Sequence, residues 1–238
     1  MTTSQILEER TELRSNWKPV VTVDMILRGA GADPKAIRAR QPRMVVLANR
    51  AIVEGMGWIH PRAALRGMPV RDVDGARVLL EDGAELRGAG VASHLAGAKS
   101  IVAVVATIGK KLEHEIERLR ERDVLYQLVL DGFGTAAMSE LVHLITGDIE
   151  AKARATRQKA TNPLYPGSNK WDLSNGQRQI FSLVDSRIVG VSLNASFMMT
   201  PRKSASFLIG LGPKVRTRND LCEECDASTS CRHKRPAH

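Results

Sequence analysis

The stretch SIVAVVATIG, residues 100–109, is an unbroken run of apolar and β-branched residues. It constrains the fold more than any other feature of the chain. A strand with one wet face alternates polar and apolar residues, whereas a continuous run predicts a strand buried on both faces. Its end at Gly109 leads into KKLEHEIERLRER, where Leu112, Ile116 and Leu119 make one helical stripe among charges. The next segment, VLYQLVLDGFGTAAMSELVHLI, is apolar on most sides and small at Gly132, Gly134, Ala136 and Ala137, which predicts a buried, closely packed helix. The junction ATIGKK places glycine between strand and helix, as in an anion-binding loop. It lacks the spaced glycines and the Lys-Ser/Thr pair of a phosphate loop, so packing is the preferred reading.

Around this centre the chain reads as mixed α and β elements without repeats. From Val21 to about Met56, apolar positions at three- and four-residue spacing predict helices, broken at RGAGADPKA and stopped near GWIHPRA. RVLLEDGAELRG predicts two short strands around an Asp82-Gly83 turn. In the second half, NPLYPGSNKWDLSNGQRQIFSLV carries a Pro/Gly loop followed by Ser174 and Gln177 at capping-box spacing, with Ile180, Phe181 and Val184 as the apolar face of a helix. RIVGVSLNASFMMTPRKSASFLIGLG then predicts two strands flanking the turn MMTPRKS. A proline loop, a capped helix and a methionine-proline-basic turn suit a bulky, partly apolar ligand.

Length and charge bound the setting. A chain of 238 residues buries one sizeable core or two modest ones. Its first residues are polar, no apolar signal-peptide core is present, and no apolar run approaches the roughly 20 residues of a membrane span, so a cytoplasmic protein is expected. The net charge is +9, and basic residues cluster toward the end in GPKVRTRND and CRHKRPAH. Aromatics make up only 4% of the chain and none lies in that tail, so a solvated basic tail or a patch that docks an acidic protein is preferred over nucleic-acid binding. His60, His94, His114 and His143 are scattered without metal-pair spacing and read as structural. There is no Gly-x-Ser-x-Gly elbow and no dense carboxylate pair that would indicate hydrolysis.

All three cysteines, Cys222, Cys225 and Cys231, fall in CEECDASTSC. In a reducing compartment such a cluster points to a metal or redox site rather than a disulfide scaffold. Their neighbours Glu223, Glu224, Asp226, Ser228 and Thr229 exclude a core role. Cys-x2-Cys sets two thiolates on one turn, and Cys231 can close back on them. Three thiolates suit an iron–sulfur cluster, [4Fe–4S] by preference, with one further or open position. With His233 as fourth ligand they equally suit a Cys3His zinc site.

Four stretches in order, VVATIGKKLE, LDGFGTAAMSEL, YPGSNKWDLSNGQRQIFSLV and GVSLNASFMMTPRKSASFLIGLG, resemble the reactivation domain of cobalamin-dependent methionine synthase, particularly its free-standing relatives. The similarity runs from about Ile26 to Gly212. It implies an α/β (α+β) fold around a twisted antiparallel sheet with flanking helices, in three parts: a polar segment 1–20, an activation-like domain 21–212 and a basic, Cys-rich tail 213–238. It also implies work on corrinoids. Cobalamin methyltransferases cycle cobalt between Co(I) and methylated Co(III), and Co(I) is occasionally oxidised to inactive Co(II). In the best-known members the domain covers the cobalamin during one-electron reduction and presents S-adenosylmethionine, the cofactor supplying the chemistry.

The resemblance carries over Pro166, Gly167, Trp171, Met199 and Pro201, and the hydrogen-bonding side chains of Asn194, Ser196, Arg202, Lys203 and Ser204 complete a candidate corrinoid-binding set. Polar members hydrogen-bond the corrinoid's amide and phosphate groups, while Trp171 and Met199 supply apolar contact. The chain departs from the family at its S-adenosylmethionine loop. Pro163 stands where that loop has arginine, Ser168 where it has tyrosine, and Asn194, Ala195 and Ser196 replace a Thr-Glu-Ser stretch. Proline cannot replace a guanidinium's charge and donors, which argues against S-adenosylmethionine binding. Two function classes follow: a redox activator of a corrinoid methyltransferase, partnered by a low-potential electron donor, or a non-catalytic corrinoid-binding partner or carrier with a structural metal site.

Overall fold

The computed structural model describes residues 10–217 except 121, 169 and 170. Three helices, α1 (Val23–Gly29), α2 (Pro34–Arg40) and α3 (Pro42–Gly55), follow a short strand β1 (Glu12–Arg14). Thr22 and Asp33 cap α1 and α2 by accepting from Met25 N and Lys35 N. The long strand β2 (Arg62–Asp74) leads into β3 (Arg77–Leu80) and β4 (Glu85–Arg87), and the short helix α4 (Ala89–His94) returns the chain to β5 (Ser100–Thr107). Helices α5 (Lys111–Arg118) and α6 (Val124–Ala155) come next, then β6 (Lys159–Ala160), α7 (Leu173–Leu183), β7 (Ser192–Leu193), β8 (Met199–Thr200) and β9 (Ser204–Gly212).

The main sheet is antiparallel throughout, in the order β4-β3-β2-β5-β9-β6, with β1 also paired to β2. A register shift between Val70 and Asp72 lets β2 pair with β5 over its first part and β3 over its second. Central β5 is buried from Ile101 to Thr107, as its unbroken apolar run predicts. Val102, Val104 and Ala106 face one core with α1, α3, α5 and α6, while Ile101, Ala103 and Val105 face a second with α4, α7 and Trp171. The period-two alternation of a strand thus divides one apolar run between two cores.

Helix α6 is the axis of the first core, and its small residues permit contact between backbones. A Cβ on Gly132 would stand 2.6 Å from Ile26 O and 2.9 Å from Ala30 N, so α1 lies directly against it. By length and composition α6 is apolar enough to cross a membrane, contrary to the expectation that no run approaches such a span. Its buried side chains, from Tyr126 through Phe133 and Leu141 to Ala153, pack inside the protein.

Three further expectations are corrected. The segment read only as a helix stop, GWIHPRA, opens the thirteen-residue strand β2. The helix expected to start at a Ser174–Gln177 capping box begins earlier, because the Asp172 carboxylate, a stronger acceptor at a helix N-terminus, takes Asn175 N at 2.8 Å and Ser174 Oγ at 2.7 Å. Gln177 is instead buried and accepts from Ser206 Oγ at 2.8 Å. The first of the two strands around MMTPRKS is a 3-10 turn, Ser186–Val189, ended by Gly190 in the left-handed region (φ 69°). The remaining β7 pairs with β8, which lies inside the stretch expected to be turn.

Candidate functional site

The sequence candidates fall on three segments arranged around α7 and β9. The first, residues 163–171, leaves the sheet through a bridge in which Leu164 and Leu208 exchange backbone hydrogen bonds of 2.8 and 3.0 Å. It then closes on itself: Gly167 N donates to Trp171 O at 2.8 Å and Trp171 N donates to Ser168 O at 2.9 Å, with Gly167 at φ 86° where a side chain would be strained. Pro166 packs on α7, where a Cβ on Gly176 would stand 2.8 Å from its own Cβ. Trp171 is only 2% exposed, beneath Gly88 and Gly176, so its indole is a core side chain that supports the loop rather than an apolar surface offered to a ligand. Its Nε1 has no hydrogen-bond partner among the described residues.

The second segment is the hairpin of β7 and β8. Asn194 Oδ1 accepts from Ser196 N at 2.9 Å and Met198 N at 3.0 Å, so this side chain shapes the hairpin tip from within. Phe197 takes a left-handed backbone (φ 58°), and the Arg178 guanidinium of α7 lies 4.3 Å over its ring. Met198 is exposed and Met199 half-buried.

The third segment, Pro201–Ser204, follows a cis Thr200–Pro201 peptide and is pinned from below. Lys203 N donates to Glu113 Oε1 of α5 at 2.8 Å, and Ile108 N donates to Lys203 O at 3.2 Å. The Lys203 side chain runs past Gly134, whose missing Cβ would stand 3.0 Å from its Cε, and its ammonium reaches Asp131 Oδ1 and Thr135 Oγ1, each at 2.9 Å. Ser204 Oγ donates to Pro201 O at 2.7 Å. Lys203 and Ser204 therefore spend their polar groups inside the fold. Pro201 is buried, and Arg202 is the member of this turn that faces solvent.

One helix ties the segments together. On α7, Gly176 receives Pro166, Gln177 holds β9 through Ser206, and Arg178 holds the hairpin through Phe197. Glu113, Asp131, Thr135 and Arg178 were not legible as site residues, because each meets its partner only after distant elements have packed. The ligand set Cys222, Cys225, Cys231 and His233 lies outside the described residues. Among the described residues, no group of three or more His, Cys, Asp or Glu side chains is placed to hold a metal ion.

The closed proline loop, the capped helix and the pinned basic turn lie on an antiparallel sheet with helices on both faces, the arrangement of an α+β domain. Among solved structures, the MetH reactivation domain bound to AdoHcy is similar in fold, with a TM-score of 0.59 at 12% sequence identity over 88% of this chain and 81% of that one. The fold implied by the sequence resemblance is the fold observed. No known family profile matches the chain, and no curated protein matches it.

Proposed function

We propose that the chain services a corrinoid, covering the cofactor of a cobalamin-dependent methyltransferase while inactive Co(II) takes up one electron and returns to Co(I). The observation that carries this reading is the fold shared over 88% of the chain with a domain whose name is reactivation. The turn bearing Arg202 supports it, since Lys203, Glu113 and Ser204 fix its backbone and leave one guanidinium for the corrinoid's amides or phosphate. The electron enters from a low-potential donor through the C-terminal thiolate cluster, with Cys222, Cys225 and Cys231 as ligands of an iron–sulfur centre and His233 or an external group completing it.

The test uses a purified corrinoid methyltransferase arrested as Co(II), a low-potential donor and this chain under anaerobic conditions. Return of the Co(I) spectrum only when the chain is present is the expected result. The same rate without the chain overturns the reading. Metal analysis of anaerobically purified protein separates the carrier alternative, because a colourless protein holding zinc makes the tail structural.

A second reading, remethylation of cobalt by S-adenosylmethionine, is favoured by the AdoHcy bound to the MetH domain. Against it stand Pro163 and Ser168 in place of arginine and tyrosine, which remove a charged, two-pronged anchor for the ligand's carboxylate. Calorimetry that detects micromolar S-adenosylmethionine binding would make methyl transfer the leading activity.

A further inference from the structure

The outward face of α3 carries Arg43, Val46, Arg50 and Val53 at i, i+3, i+7 and i+10, one continuous stripe. The opposite face buries Met44, Leu47, Ala48, Ala51 and Gly55 against the core, so Val46 and Val53 are left outside it. Val46 is 67% exposed and Val53 80%. A helix face selected only for solvation carries long charged or polar side chains. Exposed β-branched residues there lose side-chain freedom and leave apolar area in water.

The charge around the two valines is one-sided. Residues 34–53 include Lys35, Arg38, Arg40, Arg43 and Arg50 and no acidic residue. Asp24 and Glu54, at the margins, pair with Arg38 and Arg50, and Arg50 also stacks 4.2 Å over the Tyr126 ring. Lys35, Arg40 and Arg43 are exposed and have no carboxylate partner among the described residues.

We propose that this stripe is the docking surface for an acidic protein partner, with Val46 and Val53 as its apolar centre and Lys35, Arg40 and Arg43 as its cationic rim. Interfaces are built this way, with apolar anchors ringed by charges that steer encounter. A second copy of this chain is a poor occupant, because two such faces would bring like charges together. No aromatic side chain lies in the stripe, which disfavours single-stranded nucleic acid and removes the interfacial anchors of a membrane-lying helix. The inference rests on the corrinoid reading, which makes the partner the protein that carries the corrinoid.

The experiment is calorimetry of the full chain against a purified corrinoid protein loaded with cob(II)alamin, at low and high salt, with free cob(II)alamin titrated in parallel. Arg43→Glu should weaken the protein complex by about tenfold at low salt and flatten its salt dependence. Val46→Ser with Val53→Ser should weaken it by about tenfold at either salt. Neither variant should change thermal melting or free cob(II)alamin binding. Wild-type affinity in both variants overturns the proposal. So does tighter binding of wild type to phosphatidylserine vesicles or duplex DNA than to the corrinoid protein, when the same variants abolish it. If wild type binds neither the free corrinoid nor the corrinoid protein, the functional reading fails and the proposed partner with it; loss of the protein complex alone condemns only the surface.

Discussion

The Lys203 ammonium lies 2.9 Å from Asp131 Oδ1, and this ion pair joins the cis-proline turn to the central helix α6. Lys203 is mostly buried while Asp131 is half exposed, so solvent weakens the Coulomb attraction but the lysine's desolvation has already been incurred. Asp131→Ala should therefore cost about 1–2 kcal/mol, read as a lower urea midpoint at unchanged slope. Arg202→Ala should leave the midpoint unchanged and weaken corrinoid binding. Equal binding losses with equal stability losses in the two variants would refute this division between a pin and a ligand-facing cation.

A second outcome concerns the contact of α1 with α6. Gly29 and Gly132 meet backbone to backbone, and a Cβ on Gly29 would stand 2.5 Å from Gly132 O, with no flexible side chain available to give way. Gly132→Ala should cost about 3 kcal/mol through forced separation of the helices. Gly147→Ala, on the same helix with nothing within 4 Å of the added methyl, should instead stabilise by about 0.5–1 kcal/mol through helix propensity. Opposite shifts of the two melting curves are the check.

These contacts show what the sequence could and could not convey. The buried run of β5 was legible because burial on both faces is recorded in every residue of the strand. The small residues of α6 were legible for the same reason, since close packing excludes larger ones. Strand β2 was not, because Arg62, Arg66, Pro69 and Arg71 interrupt any apolar pattern, and its neighbours β1, β3 and β5 supply the order that its own residues do not. At the candidate site, Pro166, Gly167 and Arg202 were recognisable as parts of local turns. The roles of Trp171 as core and Lys203 as pin were not, because each depends on elements far away in sequence.

His94 gives the protein a pH dependence of calculable sign. It is buried, its Nε2 lies 2.8 Å from Asn162 O, and its Nδ1 has no partner among the described residues. Burial, with a smaller contribution from the Arg216 charge, holds its pKa below the ordinary value. The unfolded chain thus binds a proton more readily than the folded one. This contribution is complete above about pH 6.5, and is lost as pH falls from there toward the depressed folded value. Melting temperature should decline over that window, and His94→Gln, which keeps a donor for Asn162 O, should flatten the decline. An unchanged slope in the variant would place the titration elsewhere.

The cysteines decide between electron transfer and stapling. Replacing Cys222, Cys225 or Cys231 singly by serine exchanges a soft thiolate for a hard hydroxyl, and with three thiolates the set is already minimal, so each variant should lose any visible cluster. The described residues bury two hydrophobic clusters of their own. Cluster-free variants should consequently melt as wild type does and still bind the corrinoid protein, yet fail to return Co(II) to Co(I). A structural staple predicts the reverse: lower thermal stability, with reduction by a chemical donor unaffected. His233→Ala separates the fourth ligand, since loss of colour equal to that of the cysteine variants assigns it to the metal, and retention leaves that position to an external group. Measuring melting and Co(II) reduction on the same preparations distinguishes the cases, because a cluster-free variant that still reduces cobalt at the wild-type rate ends the electron-transfer reading.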